Sequence, residues 1–151
     1  MFLFLLLAFN NVLFINDIFV EFYWENPPAI EVCPDSNIST DDVLRSIEYW
    51  KQEGIEFKYS SIKEVDYCEL KKVNVIQISD YVESDARGND EMATTYISWW
   101  SWADEEKYYF YRADVNIPKD VSSRQDVISH EIGHAIGLGH SPNHSVMKSS
   151  L

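Results

Sequence analysis

His130-Glu131-Ile132-Gly133-His134-Ala135-Ile136-Gly137-Leu138-Gly139-His140 reads as the end of a helix followed by a glycine turn. Residues four apart on a helix lie on one face, one turn apart, so His130 and His134 can aim imidazole nitrogens at one ion. His140 can be a third ligand if the chain turns back beyond the helix, and Gly137 and Gly139 are able to adopt the positive φ such a turn needs. Zinc takes neutral imidazoles in tetrahedral geometry, and three protein ligands leave one position open for water. Glu131 neighbours the first ligand but points in a different direction, so it can reach a water at the metal without occupying the metal, which makes it the candidate general base. A lone histidine on a helix is most often a packing residue. Three at this spacing, with the glutamate between them, are poorly explained by packing.

Working back from that stretch, Ser122 with Gln125 fits a capping box, so the spacing predicts a helix from Ser123 to about Ile136. Residues 109–117 (YFYRADVNI) alternate as a strand with Tyr109, Tyr111, Ala113, Val115 and Ile117 on one face, and Pro118 ends it. Thr94 to Ile97, continuing through Trp99, Trp100 and Trp102, reads as another strand, and residues 103–107 as a turn. The aromatic run from Trp99 to Tyr111 is expected mostly in the core rather than on a substrate surface. Residues 79–91 are acidic and polar and read as a loop. Asp80, Asp85, Asn89, Asp90 and Glu91 supply oxygens of the kind calcium prefers, but at no recognisable calcium-loop spacing, so a solvated acidic surface is favoured over a structural Ca2+.

Closer to the N-terminus, residues 73–78 (VNVIQI) and 55–59 (IEFKY) alternate as short strands. Ser39 or Thr40 can cap a helix starting at Asp41 and Asp42, with Val43, Ile47 and Trp50 recurring at i, i+4 and i+7 before Gly54 stops it. Residues 20–24 or 29–33 form a strand interrupted by Pro27 and Pro28. The expected fold class is α+β: one twisted, mixed but mostly parallel sheet of four to five strands with two long helices, the second carrying the ligands.

The chain has 151 residues, which suits one domain, here expected over residues 21–151. Its 46% hydrophobic content is ample for a core, and 12 Lys+Arg against 25 Asp+Glu give a net charge of −13. That charge opposes binding to phosphate backbones, so nucleic acid is excluded as a partner class. Cys33 and Cys68 lack the close spacing of a zinc knuckle and leave one disulfide or two thiols as alternatives. Residues 2–9 (FLFLLLAF) are too short to span a bilayer. Their length suits a signal peptide or anchor within residues 1–20, although no Lys or Arg precedes them, and the alternative is an apolar lead into the first strand. No stable membrane insertion is expected unless that segment is retained, and the location is expected to be secreted or extracytoplasmic.

The residues His130, Glu131, His134, Gly137 and His140, followed by Met147, fill the signature H-E-x-x-H-x-x-G-x-x-H plus methionine turn, and in this the chain resembles the metzincin zinc peptidases. Ser141 after the third histidine makes it most similar to the matrixin branch, as a minimal catalytic domain spanning about Phe22 to Met147. The resemblance implies a zincin-like fold, one catalytic Zn2+ on His130, His134 and His140, Glu131 as general base, and Met147 beneath the metal. It implies hydrolysis of peptide bonds in a protein or peptide substrate by a monomer. It also implies a substrate-binding edge strand, for which Ala93, Thr94, Thr95 and Tyr96 are the candidates.

The sequence departs from the family in three places. The chain as given ends at Leu151, four residues after Met147, short of the family's usual C-terminal helix, and Lys148-Ser149-Ser150 replaces the Tyr-Pro type of continuation. No propeptide with a zinc-binding cysteine is evident; Cys33-Pro34-Asp35 reads as structural. His144 is expected to be a solvated loop residue. Two further readings stay open: a catalytically inactive, zinc-stabilised peptide-binding module, and hydrolysis of a non-peptide amide. Glu131 speaks against the first, since a purely structural site would favour four closed ligands.

Overall fold

The computed structural model describes residues 22–80, 93–101 and 108–149. The order is β1 (Phe22–Trp24), β2 (Ala29–Val32), α1 (Thr40–Gln52), β3 (Ser61–Glu64), β4 (Val75–Ser79), β5 (Thr94–Trp100), β6 (Tyr108–Asn116) and α2 (Gln125–Ala135). The fold is α+β, with one mostly parallel sheet and two helices. Among the described residues the sheet has six strands in place of the expected four to five. The additional one arises because residues 20–24 and 29–33 are not alternatives: β1 and β2 both form, either side of Pro27 and Pro28.

β6 is the hub. β5 runs antiparallel along it, while β4 and the short β1 pair with it in parallel on the opposite edge. The path continues from β4 to β2 and then β3, all parallel. Residues 55–59 form no strand, because the register on β2 begins at Ser61 against Ala29. Alternation without a neighbouring strand to complete the hydrogen-bond ladder does not make a strand. Ile55 is buried as the residue that closes the turn after α1.

Period-two alternation puts Ile30, Val32, Ile76, Ile78, Ala113 and Val115 on the face covered by the helices. There they meet Val43 and Trp50 of α1 and Val127, Ile128, Ile132 and Ala135 of α2. Each such burial contributes roughly 1.5–3 kcal/mol for a branched or long apolar side chain. In β6 the alternation changes phase. The register skips between Ser98 and Trp99, with Ser98 opposite Arg112 and Trp99 opposite Phe110, so Tyr111 is left over. Tyr111 is therefore exposed and Phe110 takes the buried position, in place of the expected Tyr109-Tyr111 row. The aromatic run is likewise less buried than expected: Trp99 is 50% exposed and packs edge-on against the exposed Tyr108, and Trp100 stacks on Tyr109.

The other face of the sheet is polar. Registered pairing lines up Lys63, Glu31, Gln77, Asp114 and Tyr96 across five strands. Glu31 is buried and accepts from Lys72 Nζ at 2.5 Å and Gln77 Nε2 at 3.1 Å. Arg112 donates to both Asp114 oxygens, to Gln77 Oε1 and to the carbonyls of Glu69 and Lys72. The segment that supplies these carbonyls is tied down by a Cys33–Cys68 disulfide, which settles the two alternatives for the cysteines.

Both helices have identifiable ends. Ser39 caps α1 in a reciprocal box, its Oγ accepting from Asp42 N and Asp42 Oδ2 accepting from Ser39 N. Gly54, with φ 87°, then closes the helix, Ile55 N–H reaching Trp50 O and Gly54 N–H reaching Lys51 O. α2 begins differently from expectation. Its N-cap is Arg124, without a side-chain cap, and the helix proper starts at Gln125 rather than Ser123. Ser122 Oγ instead donates to Lys119 O, and Gln125 Nε2 is drawn to Asp42 O and Ser46 Oγ of α1. Packing against α1 has outcompeted the local cap.

No helix among the described residues is long and apolar enough to cross a membrane. The expectations for residues 1–20 and for Asp85, Asn89, Asp90, Glu91 and Trp102 fall outside the described residues. Asp80 serves as a loop tie, accepting from Lys119 N and Asn37 Nδ2.

Candidate metal centre

His130 and His134 lie one turn apart on α2, and the chain returns His140 to them through a glycine turn. Gly137 adopts φ 110°. Leu138 N–H then bonds Gly133 O at 2.9 Å and Gly137 N–H bonds His134 O at 3.0 Å, the paired 6→1 and 5→2 bonds of a Schellman ending. Gly137 alone supplies the positive φ; Gly139 does not adopt it. Trp24 Nε1 of β1 donates to the remaining Ala135 carbonyl at 2.9 Å.

The imidazoles are aimed by main-chain carbonyls. His130 Nδ1 donates to Val146 O at 2.6 Å, and His134 Nδ1 donates to Leu138 O at 2.8 Å. A neutral imidazole has one N–H, so these bonds leave Nε2 of both rings as bare lone pairs. The Nε2 atoms converge, His130 Nε2 3.0 Å and His140 Nε2 3.2 Å from His134 Nε2. Two tetrahedral ligands at about 2.0–2.1 Å from zinc lie roughly 3.3 Å apart, close to these separations. Lone pairs converging without a proton between them repel; a cation among them resolves the repulsion. His130, His134 and His140 can therefore hold a metal ion. Among the described residues they form a group of three.

Electrostatics favour the ligand form. Burial holds His134 down to about 4, against the opposing bond to Leu138 O, with the other two histidines lowering it further. Burial likewise lowers His130, opposed by the bond to Val146 O and assisted by His140. Both are neutral at pH 7, as metal binding requires.

Met147 is fully buried against α2. Gly133 faces it: a Cβ there would lie 2.8 Å from Met147 Sδ and 2.9 Å from the Trp50 ring. The turn carrying Met147 is held by Ser141 N–H bonding Met147 O at 2.7 Å. His144 belongs to this turn and is not a solvated loop residue. Its Nδ1 accepts from the N–H groups of Val146 and Met147, its Nε2 donates to Glu53 Oε2 at 3.2 Å, and its ring lies over Trp50. Its spacing from His140 gave no signal of this role, which depends on Glu53 and Trp50 from α1.

Glu131 is 5% exposed and lies outside the ligand group. Of the edge-strand candidates, Thr94, Thr95 and Tyr96 lie in β5, and Ala93 immediately precedes it. β5 pairs with β6 alone among the described strands. Thr95 reaches the site, its Oγ1 lying 2.6 Å from Glu131 Oε2 and 3.1 Å from Glu131 O. Tyr96 turns to the opposite, polar face and is 48% exposed. A cavity of about 480 Å3 on that face, lined by Cys33, Tyr96 and Arg112 among others, includes none of the histidines.

The chain matches no protein-family model, no curated protein and no solved structure.

Proposed function

We propose that the protein is a zinc-dependent endopeptidase of the metzincin kind, most similar to matrixins, with a zincin-like fold. The observation that carries this reading is the convergence of three histidine Nε2 atoms beside a buried glutamate that is not one of the ligands. Three nitrogen donors with an open fourth position suit a catalytic zinc rather than a closed structural one. Zinc bound there would lower the pKa of a water to about 7 and polarise a substrate carbonyl.

The protein's own residues supply the rest. The carbonyls of Val146 and Leu138 hold His130 and His134 in the tautomer that binds metal. Glu131 accepts a proton as water attacks the carbonyl and passes it to the departing amine. β5, paired on one side only among the described strands, offers backbone groups to an extended peptide by strand addition. The disulfide supports an oxidising compartment, and we read the protein as secreted or extracytoplasmic and as acting as a monomer.

The test is digestion of a mixed peptide library by the zinc-loaded protein, beside Glu131→Gln and beside a chelated sample restored with zinc. Cleavage should vanish in the variant and on chelation, return with zinc, and leave the variant's zinc content at wild-type level. A folded, zinc-loaded wild type that cuts no peptide overturns the reading in favour of an inactive binding module or, if small amides are turned over, an amidase.

A further inference from the structure

We propose that Thr95 is the positioning residue for the general base, tying the Glu131 carboxylate to the edge strand β5; this rests on the endopeptidase reading. The hydroxyl has one proton and two acceptors within reach, Glu131 Oε2 at 2.6 Å and Glu131 O at 3.1 Å. The shorter contact goes to the side-chain carboxyl oxygen rather than to the main-chain carbonyl. Thr95 is 36 residues from Glu131 in sequence and on a different element, so the bond ties the carboxylate to the sheet. β-branching helps, since Thr has few χ1 choices and the strand sets which of them faces α2.

The consequence concerns geometry at the reacting centre. A base must sit within hydrogen-bond reach of the proton it takes, and small displacements are costly. Because β5 is also the strand proposed to pair with substrate, one residue sets the base in the frame of the peptide backbone it acts on. The Thr95 hydroxyl is directed to Glu131, and exchanging the side chain leaves in place the backbone groups that β5 would offer a peptide. Its loss should therefore reduce turnover and spare both metal and substrate binding.

The experiment compares Thr95→Val, which keeps shape and loses the hydroxyl, with Thr95→Ser, which keeps the hydroxyl, at matched zinc content. For peptide cleavage we expect kcat about tenfold lower in Thr95→Val with KM unchanged, and recovery in Thr95→Ser. A second measurement is independent of turnover: acetohydroxamate affinity of the zinc-loaded protein, since this chelator brings its own N–H and O–H against the neighbouring carboxylate. Thr95→Val should weaken it about fivefold, with no further weakening in a Glu131→Gln background. If Thr95→Val does not fold or load zinc, Thr95→Ala replaces it in both measurements. Wild-type kcat in the hydroxyl-less variant, failure of Thr95→Ser to recover, or an equal loss of hydroxamate affinity with and without Glu131 overturns the proposal. An inactive wild type would overturn the endopeptidase reading, and the hydroxamate comparison would still decide the role of Thr95.

Discussion

At Gly133 two opposing effects of known size meet. Alanine in place of glycine inside a helix gains about 1 kcal/mol of propensity. Here the new methyl would lie 2.8 Å from Met147 Sδ and 2.9 Å from the Trp50 ring, both fully buried. Overpacking of a filled core costs about 1–3 kcal/mol, and the Trp50 indole is pinned by its own bond to Ser129 O. Gly133→Ala should therefore lower the unfolding free energy by up to about 2 kcal/mol, read as a lower urea midpoint with unchanged slope. At this scale the sequence was informative wherever function is local. His130, Glu131, His134 and His140 are placed by helical period and a glycine turn, Met147 only by the family resemblance, and the structure brings the three histidines together. The contacts of Thr95 and His144 were not legible, because Thr95 reaches Glu131 across 36 residues and His144 meets Glu53 across 91. Spacing along the chain carries no trace of such pairs.

The elements show the same division. α1 was readable because its cap, apolar face and terminal glycine agree with one another. The start of α2 was not, because Gln125 satisfies α1 rather than Ser122. The strand 55–59 failed for want of a partner, and the phase of β6 could not be read across a register skip that exists only in its pairing with β5. The end of α2 carries a prediction. Gly137 holds φ 110°, a conformation that strains any residue with a Cβ, and the turn it makes places the Leu138 carbonyl that aims His134. Gly137→Ala should destabilise the protein by about 1 kcal/mol or more and weaken zinc binding about tenfold, measured by competition with a chelating dye. A stability loss with full zinc affinity would show that the turn and the ligand are not coupled.

For the whole molecule, the α+β class and the mostly parallel sheet could be inferred from the order of elements. The strand order could not, because which strand lies beside which is decided by packing over long range. The polar row across the back of the sheet has a pH consequence. Burial raises the Glu31 carboxyl, but its bonds to Lys72 and Gln77 and the charges of Lys72 and Lys63 outweigh this and hold it below the ordinary glutamate range. A depressed folded-state value means that stability is fully present above the unfolded value of about 4.3 and is lost as pH falls through the folded one. The urea midpoint should accordingly drop on acidification below about pH 4.3, and Glu31→Gln should flatten that slope. An unchanged slope in the variant would assign the acid sensitivity elsewhere. The Cys33–Cys68 bond also decides how the chain answers to mechanical load. It encloses α1 and β3 in a covalent loop, so a pull on the two termini runs through the sulfur atoms and bypasses everything between them. In a single-molecule stretching experiment the oxidised chain should extend about 120 Å less than its full contour, and reductant should release that hidden length.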